Sequence, residues 1–315
     1  MAAKESGRGG APMKRDFHIL DVFTAVPYSG NPLAVVLDAE GLDTEQMQTI
    51  AREFNLSETV FVLPPENPVH SARLRIFTRF KELPFAGHPT IGTAVLLAAQ
   101  KMGELDREED AIIMLEEGIG AVRVGVRARP HEAAFAEFDA VALPEELSAP
   151  PPVDRMAAAL GLAPNDIGLE NHKPMRFSAG LAFTFVPVRG LEAMERIDIN
   201  PQHWKDAFWD GDLNAAFVYC RQCIHTRSHF HARMFLPGLF GSEDAATGSA
   251  AAAFAGAIKR FDQPPEGINT AVIEQGYEMG RPSEIVLELE MVGGRLKAVR
   301  IGGNAVPVMV GTLEA

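Results

Sequence analysis

The sequence predicts an α+β protein made of two similar halves, each a curved sheet wrapped around one helix, with a cleft where the halves meet. An internal repeat leads to this prediction. The run Arg75-Ile76-Phe77 precedes a Gly-bearing loop and an Ala-rich helix, and Arg233-Met234-Phe235 precedes Gly248-Ser249 and another Ala-rich helix. The two runs lie 158 positions apart, about half of the 315-residue chain. A repeat of this length indicates two copies of one structural unit.

The first half is predicted to mix strands with two helices. Asp43 and Gln46 form a capping-box pattern, and apolar residues follow it at helical spacing up to Phe54, with Asn55 suited to a left-handed end. Pro89 fits the first turn of the second helix. Residues 17–23 and 33–37 read as strands joined in a hairpin through a Gly-Asn-Pro turn. The remaining predicted elements are strands at 57–63, 73–78, 112–115 and 120–126, and a helix at 88–101.

The chain is divided by prediction into three parts. Residues 1–14 are polar and basic without an apolar core, which indicates a flexible leader rather than a signal peptide. Residues 15–130 form the N-terminal half and residues 131–315 the C-terminal half. The last strand of the C-terminal half could instead pair in the sheet of the N-terminal half. The Pro-rich stretch 144–152 is interpreted as a connector or edge loop.

Composition excludes several classes of function. The net charge of −13 disfavours a nucleic-acid partner. Cys220 and Cys223 are the two cysteines, too few for a disulfide framework, so a reducing cytoplasm is expected. The Ala-rich run 250–258 is too short to cross a bilayer, so no membrane partner is expected. The 47% hydrophobic content suffices for a sizeable core.

The starts of the two Ala-rich helices are predicted to face each other in the cleft. Helix N-termini supply free backbone N–H donors and positive dipole ends, which suit a carboxylate or an enolate oxygen. Such a site requires no metal and no cofactor, and neither is predicted.

Glu58 is the first candidate for chemistry. Strand alternation puts it on the same face as Val60 and Val62. Burial on an apolar face would raise the pKa of this carboxyl toward the range of a general acid or base. The alternative is that Glu58 lies at an exposed strand start and pairs with an arginine.

His88 and Asp244 stand at the mouths of the two predicted helices. The helix dipole favours a neutral imidazole at His88, which could relay a proton, but an exposed cap residue is an equally simple interpretation. Asp244 could cap its helix or face the cleft, while Gly248 and Ser249 present donors. The position of His88 and Asp244 at equivalent ends of the repeat favours a functional role for both.

Other signatures are weak. Cys220-x-x-Cys223-x-His225 suggests zinc, but these residues lie in one predicted hairpin with no distant second ligand pair, so a solvated turn is favoured. Gly118-x-Gly120 lacks the third glycine and the helix of a dinucleotide loop, and no P-loop, HExxH or GxSxG string occurs. No metal site is predicted.

Several short strings, taken together and in order, resemble the PhzF-like family of phenazine-biosynthesis proteins. The resemblance covers nearly the whole chain after the leader. Its strings are Asp21-Val22-Phe23-Thr24, Gly30-Asn31-Pro32-Leu33-Ala34-Val35, Asn55-Leu56-Ser57-Glu58-Thr59, Pro84-Phe85-Ala86-Gly87-His88-Pro89, Asp244-Ala245-Ala246-Thr247-Gly248-Ser249-Ala250, Gln275-Gly276 and Gly280-Arg281-Pro282-Ser283.

The resemblance implies a relative of diaminopimelate epimerase, with two pseudo-symmetric halves, each a mostly antiparallel sheet around a central helix. It implies that Glu58 is the acid/base that moves a proton on dihydro-hydroxyanthranilate, assisted by His88 and Asp244. It further implies that Ser57, Gly87, Gly248 and Ser249 bind the substrate or its carboxylate, and that the chain forms a homodimer. The cysteine pair of the epimerases has no counterpart at either helix mouth.

Three hypotheses follow. The leading one is a cofactor-independent isomerase that moves a proton within a small cyclic or amino-acid-like carboxylate. The second is a racemase or epimerase, which needs two bases on opposite faces, with Glu58 and Asp244 as candidates. The third is a protein that holds a small anion without turning it over.

Overall fold

The computed structural model describes residues 13–209, 214–237 and 243–315. The N-terminal half contains two helices and eight strands within this part of the chain. The strands are Lys14–Val22 (β1), Asn31–Val36 (β2), Glu58–Leu63 (β3), Ala72–Thr78 (β4), Glu82–Leu83 (β5), Glu109–Glu117 (β6), Gly120–Ala128 (β7) and Ala134–Asp139 (β8), and the helices are Thr44–Phe54 (α1) and Gly87–Met102 (α2).

The C-terminal half holds the other described elements. Its strands are Glu145–Glu146 (β9), Met175–Ser178 (β10), Ala182–Pro187 (β11), Ala216–Cys220 (β12), Phe230–Phe235 (β13), Glu243–Asp244 (β14), Gly267–Gln275 (β15), Ser283–Val292 (β16) and Arg295–Glu314 (β17). Its helices are Val153–Leu160 (α3), Leu191–Glu195 (α4), Pro201–Phe208 (α5) and Gly248–Asp262 (α6), with a 3₁₀ turn at Pro164–Asp166.

The N-terminal half is a closed ring of strands around one helix. Neighbours in the ring are β1, β2, β3, β4, β6, β7, β8 and β17, and β17 pairs back onto β1. The β2–β3 and β4–β6 pairs are parallel and the others are antiparallel. Helix α2 lies inside the ring and is buried nearly all round over its first ten residues, as expected for a helix without a solvent face.

The C-terminal half repeats this order of pairing. From β10 to β17 the pairs run antiparallel, parallel, antiparallel, parallel, antiparallel, antiparallel, as they do from β1 to β8. Helix α6 takes the place of α2, with buried alanines along its length. The predicted α+β fold of two pseudo-symmetric halves is therefore confirmed.

The repeat extends to matching side-chain contacts. Arg75 on β4 donates to both carboxylate oxygens of Glu82 on β5, at 2.7 and 2.6 Å. Arg233 on β13 donates to both oxygens of Glu243 on β14, at 2.8 Å each. Each guanidinium also lies over the phenylalanine two residues further along its strand. The runs that indicated duplication therefore occupy equivalent places in the two halves.

Local signals account for several boundaries. The Asp43 carboxylate accepts the Gln46 N–H at 2.8 Å and the Gln46 side chain accepts the Asp43 N–H at 2.9 Å, which completes the predicted capping box. Asn55 ends α1 with φ 54°, in the left-handed region. β1 and β2 pair antiparallel, as the predicted hairpin requires.

Three segments bear on the domain boundaries. β1 begins at Lys14, inside the predicted leader, while residues 1–12 lie outside the described residues. The Pro-rich stretch 144–152 contains the short strand β9, which pairs with β10. β17 pairs with β16, then β8, then β1, and so belongs to both halves. Within the described part of the chain, no helix is both long and apolar enough to span a bilayer.

Candidate active site

The two halves meet at the N-termini of α2 and α6. A side chain at Gly87 would lie 3.4 Å from the Gly248 Cα atom, so the helix starts are in direct contact. A side chain at Gly248 would lie 3.2 Å from the Phe23 ring. Glycine at these positions allows two backbones to approach each other closely. The prediction that the helix starts face each other is confirmed.

Both helix starts leave backbone donors available to a ligand. Neither Ala86, the N-cap of α2, nor Thr247, the N-cap of α6, caps its helix through its side chain. The N–H groups of a first helical turn have no partner within the helix. Two positive helix ends therefore point into one cleft, an arrangement that suits an anionic oxygen.

Glu58 is the first residue of β3 and reaches the interior of the N-terminal half. It shares the face of Val60 and Val62, which pack in the core around α2, while Phe61 and Leu63 pack on the other face. Its side chain is buried, with 8% of its surface exposed. Burial, and then the negative charge of Asp244, raise the pKa of the Glu58 carboxyl well above its usual range. The alternative of an exposed, arginine-paired Glu58 is wrong.

His88 is the second residue of α2, and its imidazole lies against Glu58. The distance from His88 Nε2 to Glu58 Oε2 is 3.4 Å. Burial lowers the pKa of His88 to about 3, so the ring is neutral near pH 7. Both atoms are buried, and neither has a hydrogen-bond partner among the described residues. The interpretation of His88 as an exposed cap residue is wrong, since the residue is only 6% exposed.

Asp244 approaches the same cleft from the C-terminal half. Its Oδ1 atom accepts the Asn31 amide at 2.9 Å, and its Oδ2 atom accepts the Thr247 hydroxyl at 2.6 Å. Burial raises the pKa of Asp244 to about 6, although both hydrogen bonds lower it. Thr247 rather than Asp244 is the N-cap of α6. Asp244 was predicted either to cap its helix or to face the cleft, and its contact with Asn31 of the other half agrees with the second position.

The four predicted substrate-binding residues lie at the ends of the elements that carry these groups. Ser57 directly precedes β3 and is half-buried, and Gly87 and Gly248 open the two helices. Ser249 is the second residue of α6 and is half-buried. Ser249 therefore holds the position in α6 that His88 holds in α2.

The strand register corrects one detail of the repeat. Leu83 pairs with Ile76, and Asp244 pairs with Met234, one residue after each matching arginine. The counterpart of Asp244 is thus Leu83, not His88. By the same register the counterpart of Glu58 falls at Ala215. Each half therefore supplies one carboxyl group that the other half lacks.

Two polar residues of the cleft were missed from the sequence. The Asn31 amide donates to Asp244 and to the Ala246 carbonyl, at 2.9 Å each, and so joins the two halves. Gln275 donates to the Asp244 carbonyl at 2.8 Å and accepts the Thr247 N–H at 3.3 Å. Asn31 and Asp244 are 213 positions apart, so no local pattern indicates their contact. The signal that the sequence does offer is that Asn31 and Gln275 lie in strings that resemble the PhzF-like family.

Cys220 and Cys223 lie at the predicted hairpin, at the end of β12 and just after it. β12 and β13 pair antiparallel on either side of it, as predicted. Burial raises the pKa of Cys220 and of Cys223 to about 12, so both are protonated thiols near pH 7. Over the described residues, no three His, Cys, Asp or Glu side chains are grouped as metal ligands.

Together, the fold and the cleft define a class: α+β proteins of two pseudo-symmetric halves with titratable groups gathered between facing helix starts. Comparison with known proteins agrees with this class. The chain matches the family model of phenazine biosynthesis-like proteins over residues 20–311. It therefore belongs to the phenazine biosynthesis-like family and is an isomerase of the PhzF type.

Three known proteins are similar to this chain over most of its length. An uncharacterised isomerase of Mesorhizobium japonicum is 53% identical, over 95% of this chain and 98% of its own length. The trans-2,3-dihydro-3-hydroxyanthranilate isomerase of Pseudomonas aeruginosa is 36% identical, over 91% of this chain and 94% of its own length. The crystal structure of a PhzF-family phenazine biosynthesis protein of Bacillus anthracis has a TM-score of 0.84 at 26% identity, covering 96% of this chain and all of its own.

Proposed function

We propose that this isomerase moves a proton between two carbons of a small cyclic or amino-acid-like carboxylate without a cofactor, and that Glu58 carries the proton. One observation supports this most. A buried carboxyl oxygen with no hydrogen-bond partner among the described residues lies 3.4 Å from a buried, neutral imidazole, at the junction of two helix starts.

Glu58 is suited to both halves of the transfer. A carboxylate with a raised pKa is a stronger base than an ordinary one, and its protonated form, which can act as an acid, persists to higher pH than that of an ordinary carboxyl. In the first step the carboxylate takes a proton from a carbon next to an activating group, and the C–H electron pair moves into the conjugated system. In the second step Glu58 returns a proton to another carbon. The net change is a shifted double bond, with no oxidation or reduction.

The helix starts and their neighbours stabilise the charge that forms between these steps. The first-turn N–H groups at Gly87, Gly248 and Ser249 have no partner within their helices, so they can bind the substrate carboxylate or an enolate oxygen. The neutral His88 ring can donate or accept a hydrogen bond without adding a full charge. Ser57, directly before Glu58, completes the proposed substrate-binding set.

Asp244 acts on the reaction through Glu58. Its negative charge raises the pKa of Glu58, which strengthens that group as a base. The hydrogen bonds from Asn31 and Thr247 hold the Asp244 carboxyl in place across the cleft. The substrate class that we propose is a ring carboxylate like that of the Pseudomonas aeruginosa relative, which is named for trans-2,3-dihydro-3-hydroxyanthranilate.

A second candidate is racemisation or epimerisation of an amino-acid-like compound. It is favoured by the presence of two carboxyl groups with raised pKa values, one from each half. In that reaction one carboxyl takes a proton from a carbon and the other delivers a different proton to the opposite face of the same carbon. Chiral analysis of the product separates the candidates, because an isomerase shifts a double bond and an epimerase inverts a stereocentre.

The assay for the proposal follows product formation from a panel of cyclic and amino-acid-like carboxylates, including trans-2,3-dihydro-3-hydroxyanthranilate. Glu58→Gln keeps the shape of the side chain but cannot take a proton, so turnover should fall by about 10²–10⁴-fold. Glu53→Gln, on the exposed face of α1, removes the same charge and should leave turnover unchanged. Equal turnover by the two variants would rule out Glu58 as the proton carrier.

The remaining properties are also proposals. A homodimer is expected from the resemblance to the family, and light scattering of the purified chain tests it directly. Cys220 and Cys223 are free thiols, which supports a reducing cytoplasm as the compartment. The net charge of −13 supports a small-molecule partner rather than nucleic acid or an anionic membrane surface.

A further inference from the structure

Glu117 is a buried carboxyl group that has no part in the reaction proposed above. It is the last residue of β6 and is 8% exposed. Its side chain reaches α2 inside the ring of strands, where Oε1 lies 2.8 Å from the Thr90 hydroxyl. The next residue, Gly118, packs so closely that a side chain there would lie 2.7 Å from the Pro84 Cα atom. The end of β6 therefore supports the segment that leads into α2.

The Thr90 hydroxyl links Glu117 to the first turn of α2. Thr90 is the fourth residue of that helix and is fully buried. Its Oγ1 atom lies 2.8 Å from the carbonyl oxygen of Ala86, the N-cap, and its N–H donates to the same carbonyl at 3.2 Å. His88 lies between Ala86 and Thr90 in the sequence. The turn that Glu117 contacts is therefore the turn that carries His88.

The two contacts of the Thr90 hydroxyl indicate the protonation state of Glu117. A hydroxyl has one hydrogen, and a carbonyl oxygen can only accept. If Thr90 donates to the Ala86 carbonyl, the hydrogen of its other bond comes from a protonated Glu117. An ionised Glu117 would instead take the Thr90 hydrogen, and the Thr90 and Ala86 oxygens would then face each other at 2.8 Å with no hydrogen between them. The geometry therefore favours the protonated carboxyl.

The second oxygen of Glu117 agrees with this assignment. The Oε2 atom is buried and has no hydrogen-bond partner among the described residues. A negative charge on such an atom is far less favourable than a neutral carbonyl oxygen. Burial accordingly raises the pKa of the Glu117 carboxyl to about 8, although its contact with the Thr90 hydroxyl lowers it. Glu117 is therefore mostly protonated at pH 7.

The repeat assigns Gln275 as the counterpart of Glu117. Glu117 ends β6 and Gln275 ends β15, the strands that hold equivalent places in the two halves. The two residues lie 158 positions apart, the same offset that separates the two arginine runs. The pairing of β4 with β6 and of β13 with β15 keeps this offset, so the register supports the assignment.

Gln275 anchors the start of α6. Its amide donates to the Asp244 carbonyl at 2.8 Å and to the Thr247 hydroxyl at 3.2 Å, and its oxygen accepts the Thr247 N–H at 3.3 Å. Thr247 is the N-cap of α6. An amide both donates and accepts, as a protonated carboxyl does, whereas a carboxylate only accepts. Both halves therefore place a neutral donor and acceptor beside the first turn of the central helix.

We infer that Glu117, in its protonated form, is a positioning residue that holds the first turn of α2, and with it the His88 imidazole, in place against Glu58. The inference rests on the reaction proposed at Glu58. His88 Nε2 lies 3.4 Å from Glu58 Oε2, so a small shift of the turn changes this contact and the direction of the first-turn N–H groups. Glu117 acts through Thr90 and takes no part in the proton transfer itself.

Steady-state kinetics of the full chain with an accepted substrate test the role of Glu117. Glu117→Leu fills a similar volume without hydrogen bonds, and kcat should fall about ten- to hundredfold, with a smaller change in KM. Glu117→Gln keeps a neutral donor and acceptor, so kcat should stay within about threefold of the parent value. Thr90→Val should lower kcat as Glu117→Leu does, which covers the case in which Glu117→Leu unfolds. The double variant should lose no more than either single one.

Thr93→Val is the matched control. Thr93 is also fully buried in α2, but its hydroxyl has no hydrogen-bond partner among the described residues, so kcat should not change. A loss of kcat in Glu117→Gln as large as that in Glu117→Leu would overturn the inference. Losses that add up in the double variant would also overturn it, because Glu117 would then not act through Thr90.

Two measurements without substrate separate this inference from the proposed function. Amide hydrogen exchange at the start of α2 should become at least about fivefold faster in Glu117→Leu and unchanged in Glu117→Gln. The infrared difference spectrum between the parent chain and Glu117→Gln at pH 7 should contain the C=O band of a protonated carboxyl. Unchanged exchange in Glu117→Leu, or absence of the band, would overturn the inference. Full turnover by Glu58→Gln would instead overturn the proposed reaction and leave both of these results intact.

Discussion

Three ionisable side chains in the cleft are held in states that differ from those in water. Burial and the nearby Asp244 charge keep Glu58 protonated to higher pH, burial keeps His88 neutral, and burial outweighs two hydrogen bonds at Asp244. Moving ionisable groups out of water is unfavourable, so these three side chains lower the free energy of unfolding. Such an arrangement is typical of functional sites. The costs should therefore appear as a dependence of stability on pH.

His88 gives a pH dependence with a definite sign. Its pKa is about 3 in the folded chain and near 6.5 when unfolded, so the unfolded chain binds more protons between these values. The contribution of His88 to the free energy of unfolding should therefore fall by roughly 3–5 kcal/mol as the pH falls through this window. Chemical denaturation of the parent chain and His88→Asn at several pH values measures the difference. A difference that stays constant from pH 7 to pH 3.5 would contradict the lowered pKa.

Asn31 is predicted to position Asp244. Asn31→Ala removes two hydrogen bonds between the halves and should cost about 1–3 kcal/mol of stability. The freed Asp244 carboxyl should lower kcat more than it changes KM. Asn269→Ala, which loses only local bonds to the Pro265 and Gly267 carbonyls, is the matched control. Equal effects of the two variants on kcat would argue against a positioning role.

The same residues show how far the sequence leads. Alternation along β3 correctly predicted that Glu58 faces an apolar interior, because burial on a strand follows a period of two. Its contact with His88 could not be predicted, since it depends on α2 being enclosed by the ring of strands. Asn31 and Gln275 were missed because their roles depend on partners in another part of the chain.

At the scale of elements, two helix starts in contact make the cleft. Strand register assigns Asp244 and Leu83 as counterparts. The 158-residue offset of the arginine runs does not give this pairing, because three residues connect β4 to β5 whereas seven connect β13 to β14. The two halves thus share one backbone arrangement. The cleft is asymmetric because Glu58 stands opposite Ala215, and Asp244 opposite Leu83, in the repeat.

The close approach of α2 and α6 predicts an effect of adding one methyl group. In Gly248→Ala the new Cβ atom would lie 3.2 Å from the Phe23 ring, tighter than an ordinary contact, and should displace the helix start. We expect kcat/KM to fall at least about tenfold, because small displacements of catalytic groups are costly. Gly125→Ala, whose Cβ atom would be 3.9 Å from Glu137, should leave kcat/KM near the parent value. Parent-like kinetics in Gly248→Ala would mean that the helix contact does not set the geometry.

At the scale of the whole molecule, β17 and Arg281 tie the halves together. β17 runs from the sheet of one half into the ring of the other. The Arg281 guanidinium donates to the buried Asp21 carboxylate at 2.5 Å and to the Gly30 carbonyl at 2.9 Å. The sequence left the partner of the last strand open, because its alternation suits either sheet.

Arg281→Met is predicted to destabilise the assembled chain strongly. It leaves Asp21 buried and unpaired, which typically costs about 3–5 kcal/mol. The double variant Arg281→Met with Asp21→Asn removes the unpaired charge and should recover part of that loss. Urea denaturation of the two variants measures this difference in the free energy of unfolding. A double variant no more stable than the single one would show that the ion pair is not the cause.

The central claim, that Glu58 carries the proton, is tested most directly by following hydrogen during turnover in deuterium oxide. With an accepted substrate, the parent chain should introduce deuterium, in part, at the carbons that lose and gain the proton, because a single carboxyl can also return the original proton. Mass spectrometry of substrate and product, compared between the parent chain and Glu58→Gln, gives the answer. The account predicts that label and isomerisation disappear together in Glu58→Gln. Deuterium incorporation by Glu58→Gln at the parent rate would contradict it.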